Sequence, residues 1–167
     1  MVPLLIFSAL LVVLYVGAAI GAKRELPESI SSLVYLLPRE GQWVWIVWMW
    51  LVTFSLTPAL MESLPETWRF VGFLTVACLA FCGAMPVRMK ESNTAHNVLG
   101  VSAGILSQAC VAVIDTEWLA VWMLWVFLAG SAYIQPGGWL GKAVKGRLCF
   151  LAEAVCWIGL MCVLFIH

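Results

Sequence analysis

The chain has 167 residues, of which 63% are hydrophobic and 11% charged, with no net formal charge and a mean hydropathy of +1.00. That leaves too little polar surface to cover a water-soluble globule of this size. A soluble enzyme and a nucleic-acid-binding module are thereby excluded, and an all-α integral membrane protein is expected.

Crossing hydrocarbon takes about 20 mostly apolar residues per helix. Six such runs are present: Val2–Ala22, Trp43–Met61, Thr67–Met85, Thr94–Ile114, Glu117–Ile134 and Leu148–Ile166. They predict a compact six-helix bundle forming one domain over residues 1–167. The first run ends in small residues, as a signal peptide does. It has no basic n-region and its apolar part is too long, so it reads as a retained helix. Its Gly17-Ala-Ala-Ile-Gly21 stretch permits close helix approach, and Gly100-Val-Ser-Ala-Gly104 repeats the pattern in the fourth run. Internal packing and homo-oligomerisation both use such stretches.

Between the first two runs, Pro27–Leu37 is too short to span. Ile30, Leu33, Val34 and Leu37 recur at helical spacing. The segment reads as an amphipathic helix on the cytoplasmic face or as a structured loop. The second run opens with Trp43, Trp45, Trp48 and Trp50. Trp43 and Trp50 share one helical face, and Trp45 and Trp48 another. Two faces of rings at a membrane boundary predict interfacial anchors rather than a ligand cage, with Trp50 deep enough to enter the core. Ser63-Leu-Pro-Glu66 reads as a capping box for the third run, and Asp115 as the cap of the fifth.

Eight of the nine basic residues fall on alternate connections: Lys23, Arg24 and Arg39, then Arg88 and Lys90, then Lys142, Lys145 and Arg147, with Arg69 the ninth. Short loops obey the positive-inside rule. Those three connections are therefore expected in the cytoplasm and both termini outside the cytoplasmic (inner) membrane.

Ionisable groups at membrane depth are functional candidates. Glu153 lies six residues past Arg147, about 9 Å into the bilayer. His96 and Asn97 open the fourth run at comparable depth, so Glu153 is expected to accept a hydrogen bond from one of them if runs four and six adjoin. Arg147, Lys142 and the Ser29/Ser31/Ser32 segment would complete a pocket for an anionic or zwitterionic headgroup. A structural clasp between helices fits the same residues. Ser102, Ser107 and Gln108 continue the polar stripe. The six cysteines all lie within runs, without a Cys-x-x-Cys pair, and read as small hydrophobes. With one embedded histidine and neither His-Glu-x-x-His nor a phosphate loop, no metal or cofactor is expected.

The succession "LPESISSLVYLLP", a Trp-rich span and "FCGAMPVRMKESNTAHNVLG" resembles small bacterial six-span membrane proteins, some carried by phages or mobile elements. More remotely it resembles the Frag/DRAM/Sfk group. The resemblance covers about Leu26 to Gly104 and implies six helices without transferring any catalytic residue. It also implies a cytoplasmic N-terminus for the remote group, the reverse of what the basic residues here predict. The functional expectation is a non-enzymatic protein with a cytoplasm-facing polar site, Glu153, His96, Asn97, Arg147 and Ser29, for a lipid headgroup, small ligand or partner. A small transporter or oligomeric channel using Glu153, and an intramembrane lipid-modifying enzyme, are the alternatives.

Overall fold

The structure is a computed structural model that describes residues 2–88, 93–134, 137–138 and 147–167. Among the described residues six α-helices follow one another: α1 Val2–Lys23, α2 Trp43–Ser63, α3 Arg69–Arg88, α4 Asn93–Ile114, α5 Leu119–Ile134 and α6 Leu148–Ile166. Short 3₁₀ turns at Ser31–Leu36, Arg39–Gly41, Glu66–Trp68 and Thr116–Trp118 join them. Among the described residues, five helical segments are long and apolar enough to cross a membrane: Val2–Lys23, Arg39–Ser63, Glu66–Met85, Thr94–Ile114 and Leu148–Ile166. The exception is α5, at 16 residues.

Antiparallel neighbours α1–α4 are pinned in register by polar contacts between them. Ser8 Oγ donates to the Val52 carbonyl at 3.0 Å, and Trp50 Nε1 donates to the Ala80 carbonyl at 3.1 Å. Thr75 Oγ1 and Cys110 Sγ lie 3.8 Å apart between α3 and α4. Glycine sets the closest approach of α2 and α3: a Cβ on Gly83 would stand 2.6 Å from Met49 Cβ. Because α6 lies against α4 and runs parallel to it, the chain between them has to return from one end of the bundle to the other. The ends are marked by contacts. Asp115 Oδ2 lies 3.3 Å from His167 Nε2, whereas Phe150 N–H donates to the Glu28 carbonyl at 3.0 Å.

Apolar side chains cover the outside as well as the inside. Phe70, Phe73, Ile105, Met123 and Val126 are all exposed, while Leu56, Leu60, Cys110, Val111 and Val163 fill the centre. A bundle whose outer faces are as greasy as its core is built for hydrocarbon surroundings.

The tryptophan faces separate as their spacing predicts, but the Trp45 and Trp48 face is core and not an interfacial anchor, because α1 packs over it. Trp43 and Trp50 are 60% and 43% exposed, and Trp45 and Trp48 are 1% and 7% exposed. Trp50 is therefore an outward ring and not part of the core. Trp45 and Trp48 form a trio with Tyr15 of α1, with ring centroids 4.6–5.6 Å apart, and Trp48 Nε1 donates to the Leu11 carbonyl at 3.0 Å.

Within Pro27–Leu37 the regular structure is a short 3₁₀ turn and not a full amphipathic helix. Ser31–Leu36 is a 3₁₀ turn whose Leu33 and Val34 are fully buried in the bundle, beside Tyr15, which donates from its hydroxyl to the Leu33 carbonyl. The expected capping box at Ser63–Glu66 does not form. Ser63 remains in α2, the Leu64 N–H continues the helical ladder to Leu60, and no side chain caps the following turn. Asp115 does cap, accepting from the Glu117 N–H at 3.0 Å.

Of the two Gly-x-x-x-Gly stretches, that of α4 is packed internally. A Cβ at Gly100 would touch Cys82 Sγ, and one at Gly104 would touch Cys156 Sγ. Gly17 and Gly21 face open space.

Candidate functional site

The polar residues gather into two centres along α6, one at its start and one near its middle. The first begins with the Ser29–Ser32 turn. Ser29 Oγ accepts from the Ser32 N–H at 3.0 Å, and the Ser29 N–H is directed back to Ser32 Oγ at 3.4 Å, the reciprocal pattern of a capping box. The Ser32 hydroxyl also donates to the Ser29 carbonyl at 2.7 Å, and the Ser29 and Ser31 hydroxyls lie 3.1 Å apart. This leaves the N–H groups of Ile30 and Ser31 to be met. Glu153 meets them. Its Oε2 accepts from the Ile30 N–H, the Ser31 N–H faces the same carboxylate, and Cys149 Sγ sits 3.7 Å from Oε1. Backbone donors at the start of a helical turn suit a carboxylate, which explains how one is held at this depth. Among the described residues no Lys, Arg or His forms an ion pair with it. Arg147 directly precedes α6, with its side chain half-buried. Lys142 lies outside the described residues.

Of the residues expected together, the structure unites Glu153 with Ser29's turn and sets His96 and Asn97 apart. Asn97 is exposed. His96 turns to α3, where its Nδ1 lies 3.1 Å from the Cys82 carbonyl. The physical reason is Pro86, four residues beyond Cys82: it has no N–H, so the Cys82 carbonyl lacks its helical donor. A carbonyl can only accept, so Nδ1 carries the proton. In return the Cys82 thiol points to the His96 carbonyl at 3.8 Å. Cys82 Sγ also lies 3.6 Å from His96 Nδ1, so thiol and imidazole are in contact while each side chain reaches the other residue's carbonyl. Sequence carried this signal in the Cys82–Pro86 spacing. Substituting His96 by Phe is expected to cost about 1 kcal/mol in the native chain and much less in Pro86→Ala, which restores the missing donor. Unfolding in mixed micelles measures the four-variant cycle, and additive losses would show that the carbonyl is not what His96 serves.

The second centre is Gln108. Its Nε2 donates to the Cys156 carbonyl of α6 at 2.9 Å and to Ser107 Oγ at 3.2 Å, and its Oε1 accepts from Trp122 Nε1 of α5 at 2.6 Å. One amide thus ties α4, α5 and α6 with every polar atom satisfied. Beyond it, towards the Asp115 end, Val111, Leu160, Val163 and Leu164 are all buried. Thr75 is a buried hydroxyl on that side too, against Cys110, and it spends its proton on the Val71 carbonyl.

Gly100-Val-Ser-Ala-Gly104 also spells Gly-x-Ser-x-Gly, a pattern the reading for helix packing passes over. In hydrolases that pattern works at a sharp strand-to-helix turn, whereas here it lies inside unbroken α4. Among the described residues no three His, Cys, Asp or Glu side chains converge as a metal site requires. Known protein families, curated proteins and solved structures give no match to the chain.

Proposed function

We propose that this is a non-enzymatic, six-span protein of the cytoplasmic membrane, with both termini outside, that binds the amine of a zwitterionic lipid headgroup or of a similar small ligand at its cytoplasmic end. The observation that carries the reading is Glu153, a carboxylate held by backbone N–H groups and lacking a cation among the described residues. The Ser29–Ser32 turn would suit an anion, but Glu153 already fills it. The charge left to satisfy is negative, and an ammonium group answers it, with Arg147 close enough in sequence to take the accompanying phosphate.

Six crossings are supported by the opposite ends at which α4 stops and α6 starts. The 16 residues of α5 at 1.5 Å each, together with the Thr116–Trp118 turn, give a rod of about 30 Å, the thickness of the hydrocarbon. The eight basic residues on alternate connections support the orientation.

Purified protein analysed by native mass spectrometry is expected to retain phosphatidylethanolamine over phosphatidylglycerol, and Glu153→Gln to lower that retention about tenfold, as loss of a charge-assisted contact would. Cysteines placed at positions 39 and 167 should label from the inside and the outside respectively. Equal retention of both lipids, or proton flux through proteoliposomes that Glu153→Gln abolishes, would overturn the reading.

A further inference from the structure

The loop from Glu25 to Ser32 is fastened unlike the rest of the bundle. At one end Arg24 closes α1 with φ +56°, a left-handed conformation that a side chain with a Cβ adopts at a cost and that glycine usually supplies at a helix end. At the other end Leu33 and Val34 are sunk in the core. Between these fixed points Glu25, Leu26 and Glu28 are exposed, Pro27 is buried and Ile30 packs against the core, while the loop's polar links to α6 are the Glu28 carbonyl to the Phe150 N–H and the Ile30 N–H to Glu153, with the Ser31 N–H facing the same carboxylate. The strained residue, the anchored pair and the single carboxylate have the layout of a hinge, a base and a catch.

We propose that Glu25–Ser32 is a flap latched shut by Glu153, so that closure of the flap and capture of a ligand amine compete for one carboxylate. The latch itself follows from the contacts above, while the competition rests on the headgroup reading. When the flap is closed, Oε2 is spent on the Ile30 N–H. An ammonium group drawing the carboxylate away leaves the N–H groups of Ile30 and Ser31 without an acceptor, and the loop swings about Arg24 while Leu33 and Val34 stay in place.

Amide hydrogen exchange on the full chain in lipid nanodiscs tests both parts. In phosphatidylglycerol discs, Glu153→Leu is expected to speed exchange at Ile30, Ser31 and Ser32 about tenfold, with α4 amides and the Leu37 N–H unchanged, whereas Glu153→Gln, which keeps a carbonyl acceptor, does so far less. Unchanged exchange at Ile30–Ser32 in Glu153→Leu overturns the latch. So does acceleration spread through α4, since the carboxylate would then be holding the bundle and not the loop. For the native chain, adding phosphatidylethanolamine is expected to speed the same three amides. Bound phosphatidylethanolamine with no such acceleration overturns the competition. Absence of phosphatidylethanolamine binding refutes the headgroup reading, and the Glu153→Leu result still decides the latch.

Discussion

Replacing Trp45 by alanine is expected to remove about 3–5 kcal/mol of stability, the largest loss for any single substitution in the chain. The ring is 1% exposed and stands 4.9 Å from Trp48 and 5.6 Å from Tyr15, centroid to centroid, so truncation leaves a void that three helical segments have to collapse around. Trp45 also carries a buried Nε1 with no hydrogen-bond partner among the described residues. An unpaired donor in such a place is itself destabilising, so Trp45→Phe, which deletes it, should cost far less than Trp45→Ala. Trp43, two residues away on the opposite face and 60% exposed, supplies the control, with a loss under about 1 kcal/mol. Denaturation by SDS in mixed micelles, followed by circular dichroism, ranks the three. Comparable losses at Trp43 and Trp45 would mean that the helix is rotated from the position described.

Gln108→Leu comes next, at about 1–3 kcal/mol. It strips the acceptor from Trp122 Nε1 and the donor from the Cys156 carbonyl and Ser107 hydroxyl. Interhelical hydrogen bonds in membrane proteins average well under 1 kcal/mol apiece, but leaving Trp122 Nε1 without its acceptor in hydrocarbon adds to the loss, while Ser107 keeps its bond to the Gly104 carbonyl. Trp122→Phe alone should cost less, since it frees one partner. The double variant should fall short of the sum of the singles, because either change already breaks the α4–α5 link. The same micelle titration measures it. Full additivity would refute the shared bond.

Much of the fold is legible in the sequence because it depends on local periodicity. The apolar runs locate the helices, and the 100° step separates Trp43 and Trp50 from Trp45 and Trp48 before any neighbour is known. Asp115 works as a cap for a similarly local reason. What could not be read are the partners. Glu153 stands out as a carboxylate needing a donor, yet the N–H it accepts from is the main-chain group of Ile30, 123 residues earlier, and backbone groups look alike in every sequence. Side-chain chemistry pointed instead to His96 and Asn97 at the same depth. Depth gives height along the bundle and says nothing about direction around it. Gln108 was visible as a polar residue in an apolar run, but that it joins three helices depends on the crossing of α4 and α6. The Ser63–Glu66 pattern failed because a capping motif is only a preference, and here the helical ladder runs one residue past Ser63.

That 123-residue separation also sets an order of events during synthesis. At about 5–20 residues per second, Glu153 is made about 6–25 s after Ile30. Through that interval α1 to α5 can form and the neighbouring helices pair, but the Ile30 donor and one side of Gln108 wait for a helix not yet translated. The newborn chain therefore passes through a stage with its loop loose and its central amide half-bonded, the form that membrane chaperones and proteases meet first. Maturation ends when the last helix docks and satisfies both.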